Sequence, residues 1–334
     1  MIYEGGKILN NSFTPLYFTV LLITFSLTAL IEFYLIPYLR GRANQPIYED
    51  GPKWHALKGK TPTMGGIAFL ISSTVAFLFS IIFFVAIEHK AYAMALATYA
   101  FLCIGNSLIG LIDDLTKLRR KKNAGLSPKQ KIIAQAIIAV IFLFLQSKLL
   151  HPTLSFDLLI AKVSSPYFYY PVSLFLILGI VNCANLTDGI DGLASSVAYA
   201  IGASYFITSL GTGPVCTVIS ALLIGSSLAF LLFNINPAKI FMGDTGSLLL
   251  GALAVSCAFS SESPLSVIPI GVIYVIEGVS VIMQVFFFKL TKRRIFKMAP
   301  LHHHLEKSGM SENKICIIAI IITLLSSVLT FLVK

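Results

Sequence analysis

Five of the seven aspartates, Asp113, Asp114, Asp188, Asp191 and Asp244, stand at or beside three of the breaks between long apolar runs. A carboxylate at membrane depth is costly and by default marks a site, and several converging with too few positive partners suit a divalent cation. In the segment Asn106-Ser107-Leu108-Ile109-Gly110-Leu111-Ile112-Asp113-Asp114-Leu115-Thr116-Lys117, the two adjacent carboxylates point about 100° apart on a helix. Lys117 lies four residues after Asp113 and three after Asp114. The spacing divides the roles: one carboxylate holds a metal or accepts a proton, the other orders Lys117, and Lys117 meets a phosphate. The bland alternative is a surface ion pair worth only a few tenths of a kcal/mol.

Asn182, Asn185, Asp188 and Asp191 recur at every third position after an apolar run, a slowly turning polar stripe in helical geometry. Gly189 and Gly192 inside it allow a sharp turn or close approach of backbone to a ligand. Polar backbone at this depth is tolerated where it lines a cavity, the alternative being a hydrogen-bonded helix interface. Asp244, in Gly243-Asp244-Thr245-Gly246-Ser247, precedes Leu248-Leu249-Leu250 and is placed either as a helix N-cap or as a metal ligand. His302, His303 and His304 follow Pro300 and the basic residues Lys292, Arg293, Arg294 and Lys297. Three consecutive imidazoles point too differently to share one zinc ion, whereas histidines beside lysine and arginine suit a phosphate or diphosphate.

The elements that must position these groups are apolar helices. Of 334 residues, 56% are hydrophobic and 12% charged, about half the charged fraction of a soluble domain. Reading apolar length against Gly, Pro and charge breaks gives about ten transmembrane helices, near 16–39, 63–87, 91–112, 131–150, 168–186, 192–210, 214–233, 245–261, 265–289 and 314–333. The expected fold is therefore an all-α polytopic membrane protein forming one domain over residues 1–334, without internal repeats. The connections on one side, with their edge lysines, hold 20 of the 25 Lys and Arg, which puts that side in the cytoplasm and both termini outside. The net charge of +10 belongs to those loops, so it argues for anionic lipid and anionic soluble ligands and against nucleic acid. Five scattered cysteines, without metal spacing, read as small buried hydrophobes. The first apolar run has no cleavage site and is expected to stay in the protein.

Together the motifs resemble the polyprenyl-phosphate N-acetylhexosamine-1-phosphate transferase family, and most closely its muramoyl-pentapeptide branch. The stretches that carry the resemblance are His55–Gly66 (HALKGKTPTMGG), Asp113-Asp114 with Lys117, Asn185–Gly192 (NLTDGIDG), Phe241–Ser247 (FMGDTGS) and Pro300–Glu306 (PLHHHLE). The uninterrupted triple histidine is the form of that branch, although the position after it, often Phe in the family, is Leu305. The resemblance implies transfer of phospho-N-acetylmuramoyl-pentapeptide from its UDP derivative to undecaprenyl phosphate, with release of UMP and formation of the lipid-linked peptidoglycan precursor lipid I.

It further implies Mg²⁺ held by Asp244 and Asp113, with Asp113, Asp114, Asp244 and Lys117 catalytic. Lys58, Lys117 and Lys129 would lie near phosphates, and Asn182, Asn185, Asp188, Gly189, Asp191 and Phe241 around the uridine. Thr63, Lys121, Gln284, His302, His303 and His304 complete the implied substrate-binding set. The implied setting is the bacterial plasma membrane with a cytoplasmic site and membrane lipid as partner. Nucleoside antibiotics are expected inhibitors, and a homodimer is left open. Two other readings compete. A sister enzyme would transfer N-acetylglucosamine-1-phosphate instead. A cation-coupled transporter would need carboxylates leading to the outer face, and only Glu32 and Glu277 lie deeper in the apolar runs.

Overall fold

The computed structural model describes residues 13–43, 61–120, 125–150, 155–157 and 162–332. Within them the chain forms α1 (Thr14–Leu39), α2 (Gly66–Ala86), α3 (Lys90–Arg120), α4 (Pro128–Leu145), α5 (Pro166–Thr187), α6 (Leu193–Ser209), α7 (Pro214–Asn234) and α8 (Gly243–Ser260). After these come a short α9 (Val267–Ile270), then α10 (Val272–Thr291), α11 (Leu301–Glu306) and α12 (Glu312–Leu332). A two-stranded antiparallel ladder, β1 (Ser155–Asp157) and β2 (Lys162–Ser164), joins α4 to α5 and pairs Phe156 with Val163.

Among the described residues, nine helices are long and apolar enough to cross a membrane. The tenth expected crossing, 192–210, is the 17-residue α6, whose face is packed on α7 and α12. Apolar side chains facing outward, such as Phe33, Ile82, Phe175 and Phe286, are what a bundle solvated by lipid tails presents. Three boundaries differ from the expected ones. The third span runs on to Arg120, because the stretch after Ile112 keeps good helix formers and its charges find partners. The span expected over 265–289 is broken: a 3₁₀ turn at Pro264–Ser266 leads into α9, Gly271 interrupts the path, and α10 resumes at Val272. The fourth ends in a π-helical turn, Gln146–Leu150.

The axis of the bundle is α8, buried along nearly its whole length and packed on α3, α5, α7, α2 and α6. Small residues let the neighbours come this close. A methyl on Gly66 of α2 would land on the backbone of Gly246, and one on Gly110 of α3 would land on the Asp244 carbonyl. The N-terminus of α8 is thereby fixed against the C-terminal part of α3 and the start of α2.

Candidate active site

The site forms where α3 ends and α4, α8 and the connection after α5 begin. Asp113 and Asp114 are buried, at 0% and 5% exposure, and their roles divide as adjacent helical positions require. Asp114 turns to α8: one oxygen accepts from the Asp244 backbone N–H at 3.0 Å, and the other from the Thr245 N–H at 2.9 Å and its hydroxyl at 2.6 Å. A carboxylate from another helix thus caps α8, satisfying two otherwise orphaned donors and complementing the positive end of the helix dipole. The cap role that Asp244 could have filled belongs to Asp114, since Asp244 lies in the first turn of α8 rather than before it. Gly243 is in the left-handed region at φ 68°, and a Cβ there would crowd the Asp114 carboxylate, so the turn admits only glycine.

Asp113 faces the opposite way. Its Oδ1 accepts from the Leu126 N–H at 2.7 Å, which ties down the start of the segment leading to α4. Its Oδ2 meets Lys117 Nζ at 2.7 Å and Lys131 Nζ at 3.2 Å. Lys117 also reaches Asp244 Oδ1 at 3.0 Å, and Lys131 pairs with Asp244 Oδ2. Two carboxylates and two ammonium groups from three helices therefore alternate around one point. Asp113, Asp114 and Asp244 each offer an oxygen within 4.8 Å of the others, a spacing one cation can bridge, and hard oxygen donors suit an alkaline-earth ion. Because the Asp114 oxygens are engaged by α8, the ones best placed to hold an ion are those of Asp113 and Asp244.

Lys131 was not among the residues singled out from sequence. It sits in the first turn of α4 behind a capping box, Ser127 with Gln130, and Pro128 at the first helical position. That start signal, with Lys131 and Gln135 on one face four residues apart, was the available clue. Lys129, expected near phosphate, is exposed on the same turn and does not enter the cluster.

The polar stripe, which runs from the last turns of α5 into the turn beyond it, approaches from another side. Asn182 donates to the Gln135 side-chain oxygen at 2.7 Å, and Asn185 donates to the Ser247 hydroxyl of α8 at 2.8 Å. The Asp188 carboxyl, just beyond α5, is held well above the usual carboxylate range, first by loss of solvent and then by the charges of Asp244, Asp114 and Asp191. Asp191 accepts from Asn236 at 2.9 Å and from the Ala238 N–H at 3.0 Å, while its own N–H donates to Glu312 at 2.6 Å. It joins the 188–192 turn to the segment before α8 and to the start of α12.

Phe241 is half-buried, and its backbone is laced to the other motif: its N–H donates to Pro62 O and its carbonyl accepts from Gly65 N–H, both at 2.9 Å. Thr63, between these two contacts, donates its N–H to the Ala43 carbonyl at 2.9 Å, and beside it buried Met64 adopts φ 79°, a strained conformation for a side-chain-bearing residue. Gln284 receives the N–H groups of Ile295 and Phe296 at 3.1 and 3.0 Å, which folds the basic segment back on α10.

The three histidines part company. His302 is fully buried, its N–H and Nδ1 both directed at Glu277 of α10, with Nδ1 at 3.1 Å, and its ring lies against Gly189. His303 meets Glu306 at 3.2 Å, and His304 accepts from the Lys297 N–H at 3.1 Å. His302 thereby links the histidine segment to the Asp188 turn. Lys58 and Lys121, with the first half of the His55–Gly66 stretch, lie outside the described residues.

The acid and lysine centre stands at the ends of helices long and apolar enough to cross a membrane, and residues 96–262, which contain it, match the family described as glycosyl transferase family 4, so the chain is a polytopic membrane protein of the glycosyl transferase class. Relatives extend the match to nearly the whole chain. A phospho-N-acetylmuramoyl-pentapeptide-transferase of Clostridium perfringens strain SM101 is 38% identical over 97% of this chain and 99% of its own. Proteins of the same name from Halalkalibacterium halodurans and Staphylococcus epidermidis are 40% and 42% identical, covering 89% and 86% of this chain and 91% and 90% of theirs. The chain belongs to the phospho-N-acetylmuramoyl-pentapeptide-transferase family.

Proposed function

We propose that the chain transfers phospho-N-acetylmuramoyl-pentapeptide from its UDP derivative to undecaprenyl phosphate, releasing UMP and leaving lipid I in the membrane. The observation that carries this reading is the alternating Asp113, Lys117, Asp244, Lys131 cluster at one end of an apolar bundle, in a chain of this family. One substrate is a lipid and the other soluble and anionic, so the site belongs at an interface. The concentration of 20 of the 25 Lys and Arg in the connections on one side supports the cytoplasmic face of the bacterial plasma membrane.

The lipid phosphate, with a second pKa of about 6 as a phosphomonoester, is largely dianionic at neutral pH and needs little help from a base. Its oxygen attacks the β-phosphorus of the sugar nucleotide, and the bond to the UMP oxygen breaks. Since Asp114 is engaged at the end of α8, we assign Asp113 to orient the lipid phosphate and take up any residual proton. Lys117 and Lys131 neutralise the diphosphate, as phosphoryl transfer demands. Asp113 and Asp244 would hold Mg²⁺, which supplies charge neutralisation on the phosphate oxygens. Asn182, Asn185, Asp188, Gly189 and Asp191 form the nucleoside wall, and Phe241 stacks on the uracil. We assign His303, His304, Lys58, Lys121 and Lys129 to contacts with the phosphates, and Thr63 and Gln284 to shaping the approaches. The test is UMP release by the purified protein with undecaprenyl phosphate, comparing the UDP-muramoyl-pentapeptide with UDP-N-acetylglucosamine. Release with the second sugar alone would assign the sister reaction, and release with neither would refute the transferase reading.

A further inference from the structure

Lys131 carries an inference that rests on the metal reading above and deepens it. The oxygens of Asp113 and Asp244 that a cation would use already carry two ammonium groups: Lys117 at 2.7 and 3.0 Å, and Lys131 at 3.2 Å from Asp113 and in contact with Asp244. A third carboxylate, Asp114, has one oxygen 3.9 Å from Lys117 but gives its hydrogen bonds to the backbone and the Thr245 hydroxyl of α8. The two ammonium groups offset the charges of Asp113 and Asp244, and the third charge, on Asp114, is held by the N-terminus of α8. A divalent ion entering this closed set meets two like charges at contact range in a partly desolvated site, where such repulsion is far stronger than in water.

The two lysines are not equivalent. Lys117 shares a helix with Asp113 at four residues' distance and is held in register by α3. Lys131 comes from α4, which carries neither carboxylate, although the two lysine side chains are about equally exposed, at 20% and 18%. It can leave the carboxylates without moving a helix.

We propose that Lys131 is the internal counter-ion of the metal site. In the ligand-free enzyme it occupies the carboxylates in place of the metal. When the sugar nucleotide binds, it swings to the diphosphate and frees Asp113 and Asp244. Metal and nucleotide then bind cooperatively, and because coupling is reciprocal each raises the affinity of the other by the same factor.

The experiment measures binding, with Mn²⁺ as a paramagnetic stand-in and the purified full chain in detergent without any lipid acceptor. Binding is titrated for wild type, Lys131→Met and Lys131→Arg, each with and without UDP as the diphosphate probe. Without UDP, Lys131→Met binds Mn²⁺ about tenfold or more tightly than wild type, within the usual range of coupling between sites. Lys131→Arg, which keeps the charge, stays close to wild type. UDP tightens Mn²⁺ binding in wild type by a similar factor and does much less in Lys131→Met. A gain in metal affinity is the opposite of what a damaged site would show, so misfolding cannot imitate it. Equal or weaker Mn²⁺ binding by Lys131→Met overturns the inference while leaving the metal assignment standing. No Mn²⁺ binding in any of the three proteins, even with UDP, overturns the metal assignment and the inference with it.

Discussion

Replacing Asp114 by asparagine separates structural from chemical duty in the paired aspartates. Asp114 accepts three hydrogen bonds, from Asp244 N–H, Thr245 N–H and the Thr245 hydroxyl. Asparagine keeps one acceptor oxygen and turns an NH₂ group toward the rest. The hydroxyl can rotate and accept, but one of the two backbone N–H groups then faces another donor inside the protein. A buried donor left unpaired costs about 1–3 kcal/mol, and the surviving bonds lose their charge assistance, giving about 2–4 kcal/mol in all. At roughly 2 °C per kcal/mol, the low end of the range because the chain exceeds 250 residues, the apparent Tm should fall by about 4–8 °C. Asp113→Asn is the comparison. Its oxygen can still accept from the Leu126 N–H, and the lysines it releases keep Asp244. Its loss should be the smaller of the two, because both lysines keep Asp244 and reach solvent at about one-fifth exposure, so neither charge is stranded. Both variants should lose turnover, so thermal unfolding in detergent, with protein and lipid concentrations held equal, is the discriminating assay. If Asp114→Asn unfolds at the wild-type temperature, or Asp113→Asn is the less stable of the two, the capping assignment is wrong.

Asp244→Asn should reduce turnover by at least about 10²-fold, the range for removal of a charge-stabilising group, with apparent Tm near wild type because the variant keeps its backbone N–H for Asp114. Near-normal turnover at ordinary Mg²⁺ would remove it from the metal site. Asp188→Asn tests the raised carboxyl. A raised pKa in the folded state contributes stability fully present below the ordinary value of about 4 and lost as pH rises through the raised one, so the variant should match wild type near pH 4 and become progressively more stable toward pH 8. A stability gap independent of pH would refute the shift. Among the histidines, His302→Ala should lose the most stability, since it empties a fully buried position and leaves Glu277 only the backbone N–H of its two partners there, whereas His304→Ala, half-buried on the segment's own backbone, should unfold near wild type; equal losses would contradict the arrangement.

Much of this site was legible before any coordinates, and the parts that were not share a cause. The Asp113, Asp114, Lys117 spacing announced divided roles, because adjacent helical positions must diverge, but which carboxylate did which depended on the side from which α8 approached. That is a property of packing between residues 130 positions apart. For the same reason Asp244 looked like its own helix cap: sequence shows the neighbours along the chain and hides a cap supplied from another helix. Lys131 was counted with the cytoplasmic basic residues because any lysine at a helix edge fits that pattern, and only the fold of residues 125–131 over Asp113 turns it inward. Glu277 stood as an isolated carboxylate in an apolar run, and its partner, His302, is 25 residues away across a reversal of the chain. The apolar spans were the most readable feature, since length and hydropathy alone decide them. The interruption at Gly271 was masked by an unbroken apolar run.

Setting the reacting groups against the most enclosed helix has an evolutionary consequence. Residues such as Phe33, Ile82 and Phe286 face outward and answer only to the lipid around them, so lineages living in thicker, thinner or more fluid membranes can exchange them freely. Gly66, Gly110 and Gly243 have no such latitude, because one added methyl displaces the start of α8 and everything aimed at it. The same enzyme can thus be re-dressed for a new membrane without its chemistry being retuned.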